Sequence, residues 1–219
     1  MTNKITFTSI FPEYQIPHPI PASKSVPDWW RKESVVKEQI HTMKKCTPIL
    51  DSLTAGYIIT LPSDVYKANG IVEFGQRYDI QFVSEHYPLQ TEAYPAPEEF
   101  DSQPYKWINP WKITTPKGYS CLFIHPLNSG DTPFHSFSGI VDTDKHPVTV
   151  NFPFLIRKDF EGNIPAGTPM IQVIPFKRDK WESKVIDNKE FTEPEEFYKI
   201  FNPPFGQYKR NWWTKKEFR

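Results

Sequence analysis

One carboxylate stands at a place in the sequence where chemistry is often found. Asp142 ends a short segment that begins at Gly139, and an apolar strand, a glycine-containing turn and a strand with a single Gln172 follow it. Rigid β-scaffolds usually display their working side chains at strand ends and in turns. The pattern therefore nominates Asp142 as a candidate functional residue. The alternatives are a turn cap or exposed carboxylate before Thr143 and Asp144, and for Gln172 a hydrogen bond to neighbouring backbone.

Other candidate chemistries lack the residue spacing that they need. Zinc and iron sites usually combine closely spaced histidines with a carboxylate. The histidines of interest lie ten or more residues apart, at His86, His125, His135 and His146. No serine lies in a Gly-x-Ser-x-Gly elbow, and neither a P-loop nor a Rossmann glycine pattern is present. The sequence therefore predicts no metal centre, no nucleophilic serine and neither of these nucleotide sites.

Composition favours a single β-rich domain without a bias towards a charged partner. The 219 residues include 26 basic and 26 acidic side chains, so no net charge attracts nucleic acid or an anionic membrane. Proline disrupts helices and central strands, and 23 prolines against 9 glycines indicate short segments joined by stiff turns. Aromatic residues make up 16% of the chain and can fill a core between short strands.

The sequence also carries indications of the compartment. Cys46 and Cys121 lie far apart without a Cys-x-x-Cys spacing, which is typical of reduced, buried cysteines in a cytosolic protein, although a disulfide between them stays open. The first residues lack a basic region followed by an apolar run, and no apolar stretch is long enough for a membrane span. We therefore expect a soluble cytoplasmic protein with no membrane partner.

Three segments of different character follow one another. Residues 1–52 combine a strand, a proline-rich arm and a short helix, residues 53–178 form a β domain, and residues 179–219 form a helical, aromatic C-terminal extension. The middle segment holds short runs rich in Ile, Val, Phe and Tyr between turn residues, which is typical of an all-β sandwich or barrel. We expect the extension to pack on the body or on a partner.

Within these segments, individual elements are predicted by local pattern. Helix and turn rules predict a strand over residues 4–10, a helix over 28–41, a helical turn over 48–52, a hairpin at Asn69 and Gly70, a surface loop over 88–110 and a helix over 193–200.

Four separated segments resemble the ordered motifs of the trimeric dUTPase and dCTP deaminase superfamily. They are residues 53–59 (LTAGYII), 126–130 (PLNSG), 139–142 (GIVD) and 167–174 (GTPMIQVI). The resemblance implies a distorted β-barrel that forms a homotrimer, with sites between subunits. Two further phrases, TPKGYS and IPAGTP, are similar to segments of tailed-phage and bacterial proteins without an assigned function, which implies a host cytoplasm or a virion as the location.

The resemblance also implies roles for individual residues. In that family the third-motif Asp activates water, a Tyr of the same hairpin stacks on the sugar, and a Ser and a Gln contact phosphates. The matching positions are Asp142 as the candidate general base, and Ser129, Gly130, Gly139, Lys145 and Gln172 as candidate ligand-binding residues.

The departures from the family pattern fall on its charged residues. Ile58 stands where the first motif has Asp, Leu127 stands where the second has Arg, Lys145 stands where the third has Tyr, and the glycine-rich C-terminal motif is absent. Pyrophosphate hydrolysis needs positive charge or a metal against the phosphate oxygens. The glycines are kept, and turns that need a positive φ are sufficient to explain Gly56, Gly130, Gly139 and Gly167.

Two functions from different classes follow. The first is a non-enzymatic β-scaffold of dUTPase-like fold that assembles with itself or a partner and uses no cofactor. The second is a divergent nucleotide-binding protein or nucleotide pyrophosphohydrolase, with Asp142 as base, Lys145 or Arg178 supplying positive charge, and Mg²⁺ as cofactor. We favour the first, because the charged positions are lost while the turns are kept.

The C-terminal tail suggests a minor third hypothesis. Basic residues interleaved with aromatic ones can bind single-stranded nucleic acid through phosphate contacts and base stacking. Here Trp212 and Trp213 are flanked by Lys209, Arg210, Lys215, Lys216 and Arg219. We favour the alternative, in which the two tryptophans pack against the body or a neighbouring subunit and nucleic acid is not a partner.

Overall fold

The chain is mainly β-structure arranged in several antiparallel sheets. A computed structural model describes residues 3–77, 80–90, 92–187 and 207–219. The strands are β1 (Thr6–Ser9), β2 (Ile20–Pro21), β3 (Val36–Lys37), β4 (Ile40–His41), β5 (Tyr57–Thr60), β6 (Val65–Ala68), β7 (Ile71–Phe74), β8 (Gln76–Arg77), β9 (Ile80–Gln81), β10 (Val83–Glu85), β11 (Tyr105–Trp107), β12 (Trp111–Thr114), β13 (Tyr119–Ile124), β14 (Phe134–Ser136), β15 (Gly139–Val141), β16 (Phe152–Ile156), β17 (Gly162–Ile164) and β18 (Pro169–Lys177). The described α-helices are α1 (Asp28–Lys32), α2 (Thr47–Thr54) and α3 (Gln207–Asn211), and short 3₁₀ turns cover Ala22–Lys24, Met43–Lys45 and Pro88–Gln90. None of the described helices is long and apolar enough to cross a membrane.

Two larger sheets share the core. One has the strand order β15-β13-β18-β5-β2 and the other has the order β10-β11-β16-β14. Aromatic rings fill the core: Phe123 of the first sheet lies 5.0 Å from Phe152 of the second between ring centroids, and within the second sheet Trp107 stacks on Phe154 at 3.7 Å. Burial of such large rings accounts for a core built from short strands.

The N-terminal arm is joined to the β body by strand pairing. Strand β1 pairs with β12 and β2 pairs with β5, and both pairs are antiparallel. The arm residues Phe7, Phe11 and Tyr14 pack against the buried core. The prolines between the two strands keep this segment extended, so it covers the body without forming a further helix.

A buried lysine links the small sheet β17-β6-β7 to its surroundings. Strand β6 alternates between exposed and buried positions, which turns Lys67 inward together with Val65. The Lys67 ammonium donates hydrogen bonds to the carboxylate of Asp101 at 2.8 Å, to Arg157 O at 2.7 Å and to Lys158 O at 3.1 Å. All three of its protons therefore have acceptors, as a buried cation requires.

The helix predicted over residues 28–41 is wrong beyond its first turn. Helix α1 ends at Lys32, and strands β3 and β4 then form a hairpin with positive φ at Glu38 and Gln39. A short helix depends on packing of an apolar face. Only Trp30 of α1 is buried, whereas Ile40 is 71% exposed, so no core contact extends the helix.

Several other predicted elements can be compared with the structure. The strand near the start, the second helical turn and the Asn69 and Gly70 hairpin are confirmed, the last with φ of 52° and 75° at its two turn residues. The surface loop over 88–110 is wrong in part, because Tyr105–Trp107 is an interior strand with Trp107 fully buried. The helix over 193–200 lies outside the described residues.

Candidate functional site

Asp142 lies immediately after β15 and starts a tight turn. The backbone N–H groups of Lys145 and His146 both donate to the Asp142 carbonyl oxygen at 2.9 Å. Its Oδ1 accepts a hydrogen bond from Ser120 Oγ at 2.7 Å and lies 3.2 Å from Arg178 Nη1. The carboxylate is half exposed, and Lys145 points into solvent. Asp142 is thus accessible to water, and it shares the Arg178 guanidinium with a second carboxylate.

A second carboxylate, Asp144, forms the closer ion pair with Arg178. Its side chain is only 3% exposed and accepts hydrogen bonds from Arg178 Nη1 at 2.9 Å and from the Gly118 N–H at 2.8 Å. The hydrogen bond from Arg178 is the main cause that lowers the pKa of Asp144 to about 2. The same guanidinium also donates to Tyr119 O and Ser120 Oγ, both at 2.9 Å. Arg178 therefore links the turn at Asp142–Asp144 to strand β13. Few of its N–H groups are left to bind a ligand.

Buried hydroxyl contacts hold the same turn from the inside. Thr143 Oγ1 lies 2.7 Å from Thr115 Oγ1 and 3.4 Å from the Cys121 sulfur. Burial raises the pKa of the Cys121 thiol, which keeps it protonated and unreactive near neutral pH. Cys46 and Cys121 are both free. Sequence reasoning missed Asp144, although its place two residues after Asp142 was a signal that the turn could hold a paired carboxylate.

Both the oxygen and the nitrogen of the Gln172 carboxamide form hydrogen bonds with the backbone. Gln172 is 1% exposed, and its Oε1 accepts from the Leu127 N–H at 2.9 Å. Its Nε2 donates to Ser52 O at 2.9 Å and to Ala55 O at 2.7 Å. Because both amide protons and the oxygen have backbone partners, this side chain joins the ends of two motif segments to the strand that carries it.

Ser129 and His125 form a polar pair whose proton arrangement is set by the backbone. The Ser136 N–H donates to His125 Nδ1 at 3.2 Å, so Nδ1 carries the lone pair and the proton resides on Nε2 of the neutral ring. His125 Nε2 lies 3.2 Å from both Ser129 Oγ and Thr132 Oγ1. Nε2 therefore donates to the hydroxyls and has no lone pair to take the Ser129 proton. Ser129 is not an activated nucleophile in this arrangement.

The same histidine is partly buried where the two larger sheets meet. The ring of His125 stacks on His135 at 4.8 Å and meets the edge of Phe134 at 5.5 Å. Burial, with a smaller effect of His135, lowers the pKa of His125 to about 4, and burial also lowers the pKa of His135. Among the described residues, no group of three or more histidine, cysteine or carboxylate side chains is arranged to hold a metal ion.

Three of the four motif segments meet at one pocket of about 390 Å³. Ser129, Gln172 and Gly167 contribute to its lining together with Leu53 and Ile58. Helix α1 closes one side through Arg31, and Lys24 lies at the wall of the same pocket. The pocket combines an apolar surface with two cationic side chains and several hydroxyls.

The two candidate glycines differ in their backbone requirement. Gly130 has a φ of 92° and lies against the indole of Trp29, which itself donates to Asn128 O at 2.8 Å. Gly139 has no positive φ, and a Cβ at this position would meet no atom within 4 Å. The expectation that a turn with positive φ explains Gly139 is therefore wrong, whereas Gly56, Gly130 and Gly167 do have positive φ.

Asp142 does not reach this pocket within one chain. It lies beside Ser120 at the start of β13, whereas Gln172 pairs with Ile124 at the end of that strand. Four residues of extended strand separate the two ends by about 13 Å. The structure thus brings Ser129 and Gln172 together at the pocket, with Gly130 next to Ser129 in the chain, and leaves Asp142, Gly139 and Lys145 on a separate hairpin.

The tryptophan-rich tail is placed on the body. Trp213 Nε1 donates to the Asp51 carboxylate, and Phe218 packs edge-on against Tyr57 at 6.1 Å between ring centroids. Trp212 is half exposed. Packing of one tryptophan on the body agrees with the favoured alternative for this tail. Comparisons with protein families, with curated proteins and with solved structures find no match to this chain.

Proposed function

We propose that this protein is a non-enzymatic β-scaffold that acts by binding copies of itself, as a homotrimer of dUTPase-like fold, or by binding a larger assembly. One observation carries the proposal: three polar side chains at the candidate site, Gln172, Arg178 and His125, already have partners within the chain, whereas Asp142 and Lys145 lie exposed on a separate hairpin. Gln172 has three backbone partners, Arg178 binds two carboxylates, and His125 holds its proton on the nitrogen that faces Ser129. Catalysis needs groups free to bind the changing charge of a transition state.

Exposed apolar side chains support the binding part of this proposal. Ile140 at the sheet edge β15 is 65% exposed, and Trp181 in the segment after β18 is 90% exposed. Exposed large apolar side chains and open sheet edges are features of surfaces that bind other proteins. The four motif-like turns supply the argument for a trimer, since the family that they resemble forms trimers.

Light scattering and a hydrolysis assay on the purified full chain test the proposal together. We expect a mass three times that of one chain, or a larger multiple, and no turnover of any common nucleoside triphosphate with or without Mg²⁺. A monomer that hydrolyses one nucleotide rapidly and selectively would refute the proposal. Ile140→Lys is expected to lower the mass, and Lys145→Ala, which alters an exposed side chain on the same hairpin, serves as its control.

The pocket favours a second function, binding of a nucleotide. Three motif segments line it together with Lys24 and with Arg31, whose guanidinium is paired with Asp28, so Lys24 would have to supply positive charge in place of the Arg that the second motif lacks. In the family that the motifs resemble, sites lie between subunits, so a neighbouring copy would have to supply Asp142. A thermal-shift screen against nucleoside mono-, di- and triphosphates tests this function, because a ligand that binds the folded state raises its stability. Hydrolysis that persists in Asp142→Asn would exclude Asp142 as the base.

A further inference from the structure

The last residues of the chain pack into a shallow groove on the body. This tail groove is lined by Leu50, Asp51 and Thr54 of α2 and by Tyr57 of β5, and the tail is residues 207–219. The centre of the contact is one carboxylate. Trp213 Nε1 lies 3.0 and 2.9 Å from the two Asp51 oxygens, and Lys216 Nζ donates to the same carboxylate at 2.6 Å.

A second anchor lies at the very end of the tail. The Tyr57 hydroxyl donates to the Arg219 carbonyl oxygen at 3.1 Å, and its ring meets the edge of Phe218. Phe7 packs on Tyr57 from the body at 5.2 Å, which fixes the position of the ring. The groove thus binds an indole, an ammonium and an aromatic ring, at positions 213, 216 and 218 of the tail.

The contact is specific but small. Trp213 and Phe218 are partly buried, while the other tail residues described from Tyr208 onward are exposed. Lys209 and Lys216 lie over the Trp213 ring at 5.5 and 5.8 Å, and cation–π contacts at exposed sites contribute only about 0.5–1 kcal/mol each. Because only two tail side chains are partly buried, we expect release of the tail not to require unfolding of the body.

The connection between body and tail is long. It runs from residue 179, just after β18, to residue 206, a length of about 90 Å when fully extended. Its described part carries exposed apolar side chains at Trp181, Val185 and Ile186. By its number of residues alone, a connection with this maximum span can reach the chain's own groove or that of a neighbouring molecule.

We propose that the tail groove also takes the tail of a second copy of this chain, so that assembled copies exchange tails. Tail exchange rests on the proposed function, because it requires copies that come close together. Charge complementarity between Asp51 and Lys216 defines the contact, and the same contacts form within one chain or between two. When copies are held together, neighbouring grooves are at an effective concentration similar to that of the chain's own groove.

Two full-length variants separate exchange from docking within one chain. Trp213→Ala keeps a working groove and loses the tail anchor. Asp51→Lys keeps a working tail and loses the groove, because the new ammonium repels Lys216. Neither can dock its own tail, so a mixture of the two forms a contact only when the tail of the second enters the groove of the first.

The measurement is retention of untagged Asp51→Lys on immobilised Trp213→Ala. The matched control is the untagged double variant, which lacks both groove and tail anchor and reports association through any other surface. We expect retention about fivefold above this control, lost when a synthetic peptide of residues 207–219 is added. Asp51→Asn, which keeps an oxygen acceptor but not the charge, is expected to give retention below that of Asp51→Lys, because its own groove retains part of its tail.

Retention equal to that of the double variant, with all variants folded by circular dichroism, would overturn tail exchange. That result would leave the non-enzymatic assignment intact. Selective nucleotide turnover by the wild-type chain would instead refute the proposed function, whatever the retention assay gives, so the two failures are distinguishable.

Discussion

Protonation of His125 is expected to destabilise the folded protein in mild acid. In the folded state Nδ1 accepts from the Ser136 N–H, so a proton added there faces another donor and breaks that hydrogen bond. Burial lowers the pKa of His125 from 6.5 to about 4. As pH falls, the unfolded chain therefore binds a proton before the folded chain does, and the free energy of unfolding decreases.

The size of the effect follows from that pKa difference. A lowering from 6.5 to about 4, at about 1.4 kcal/mol per pKa unit, corresponds to about 3–4 kcal/mol, of which about 3 kcal/mol is lost between pH 7 and pH 4. This contribution is fully present above about pH 6.5 and is lost progressively as the pH falls towards 4. His135, whose pKa is also lowered, contributes in the same direction. Domains are usually stable by only about 5–15 kcal/mol, so the loss is large enough to measure.

Urea unfolding followed by tryptophan fluorescence between about pH 7 and pH 4 measures this loss. His125→Asn removes the titration, and we expect its unfolding free energy to fall by about 3 kcal/mol less than that of the wild type over this range. His146→Asn, at a histidine whose ring bonds only to the exposed turn, is the matched control and should follow the wild type. Parallel curves for the wild type and His125→Asn would refute the reasoning.

Three further variants test how the site segments are held. Gln172→Ala leaves two carbonyls and one N–H without partners and should cost about 3 kcal/mol in urea unfolding, whereas Gln81→Ala at an exposed strand position should cost little. Gly56→Ala should lower the melting temperature far more than Gly70→Ala: both positions have positive φ, but only at Gly56 does a Cβ overlap neighbouring backbone. Equal melting temperatures would contradict that explanation. Asp144→Asn should lower stability at neutral pH and remove the decrease expected as the pH falls from about 4 towards 2, which acid titration of the unfolding midpoint checks.

The elements that were predicted correctly are determined by interactions between residues close together in the sequence. Asn69 and Gly70 adopt the positive φ that a tight hairpin needs, and proline at the start of α2 matches the preference of a first helical turn. The errors fall where contacts between residues far apart in the sequence determine the structure. The segment over 88–110 looks like a loop because of its prolines, yet Trp107 is buried by stacking on Phe154 and its strand lies inside a sheet.

The candidate site was predictable only as a set of residues. The sequence nominated Ser129, Gln172 and Asp142, but not their arrangement. It did not show that the carboxamide of Gln172 forms hydrogen bonds with three backbone groups. Nor did it show that the length of β13 separates Asp142 from the pocket. Lys67 illustrates the same limit, since its burial depends on the carboxylate and carbonyls that strands far along the chain bring to it.

The sequence by itself determined a mainly β chain of short strands and stiff turns, because backbone preferences and apolar runs act over a few residues. Only the tertiary structure decided which polar groups have partners, which motif segments share a pocket and where the tail docks. Hydrogen bonds and ion pairs of this kind depend on distances between residues far apart in the chain, and strand register sets those distances.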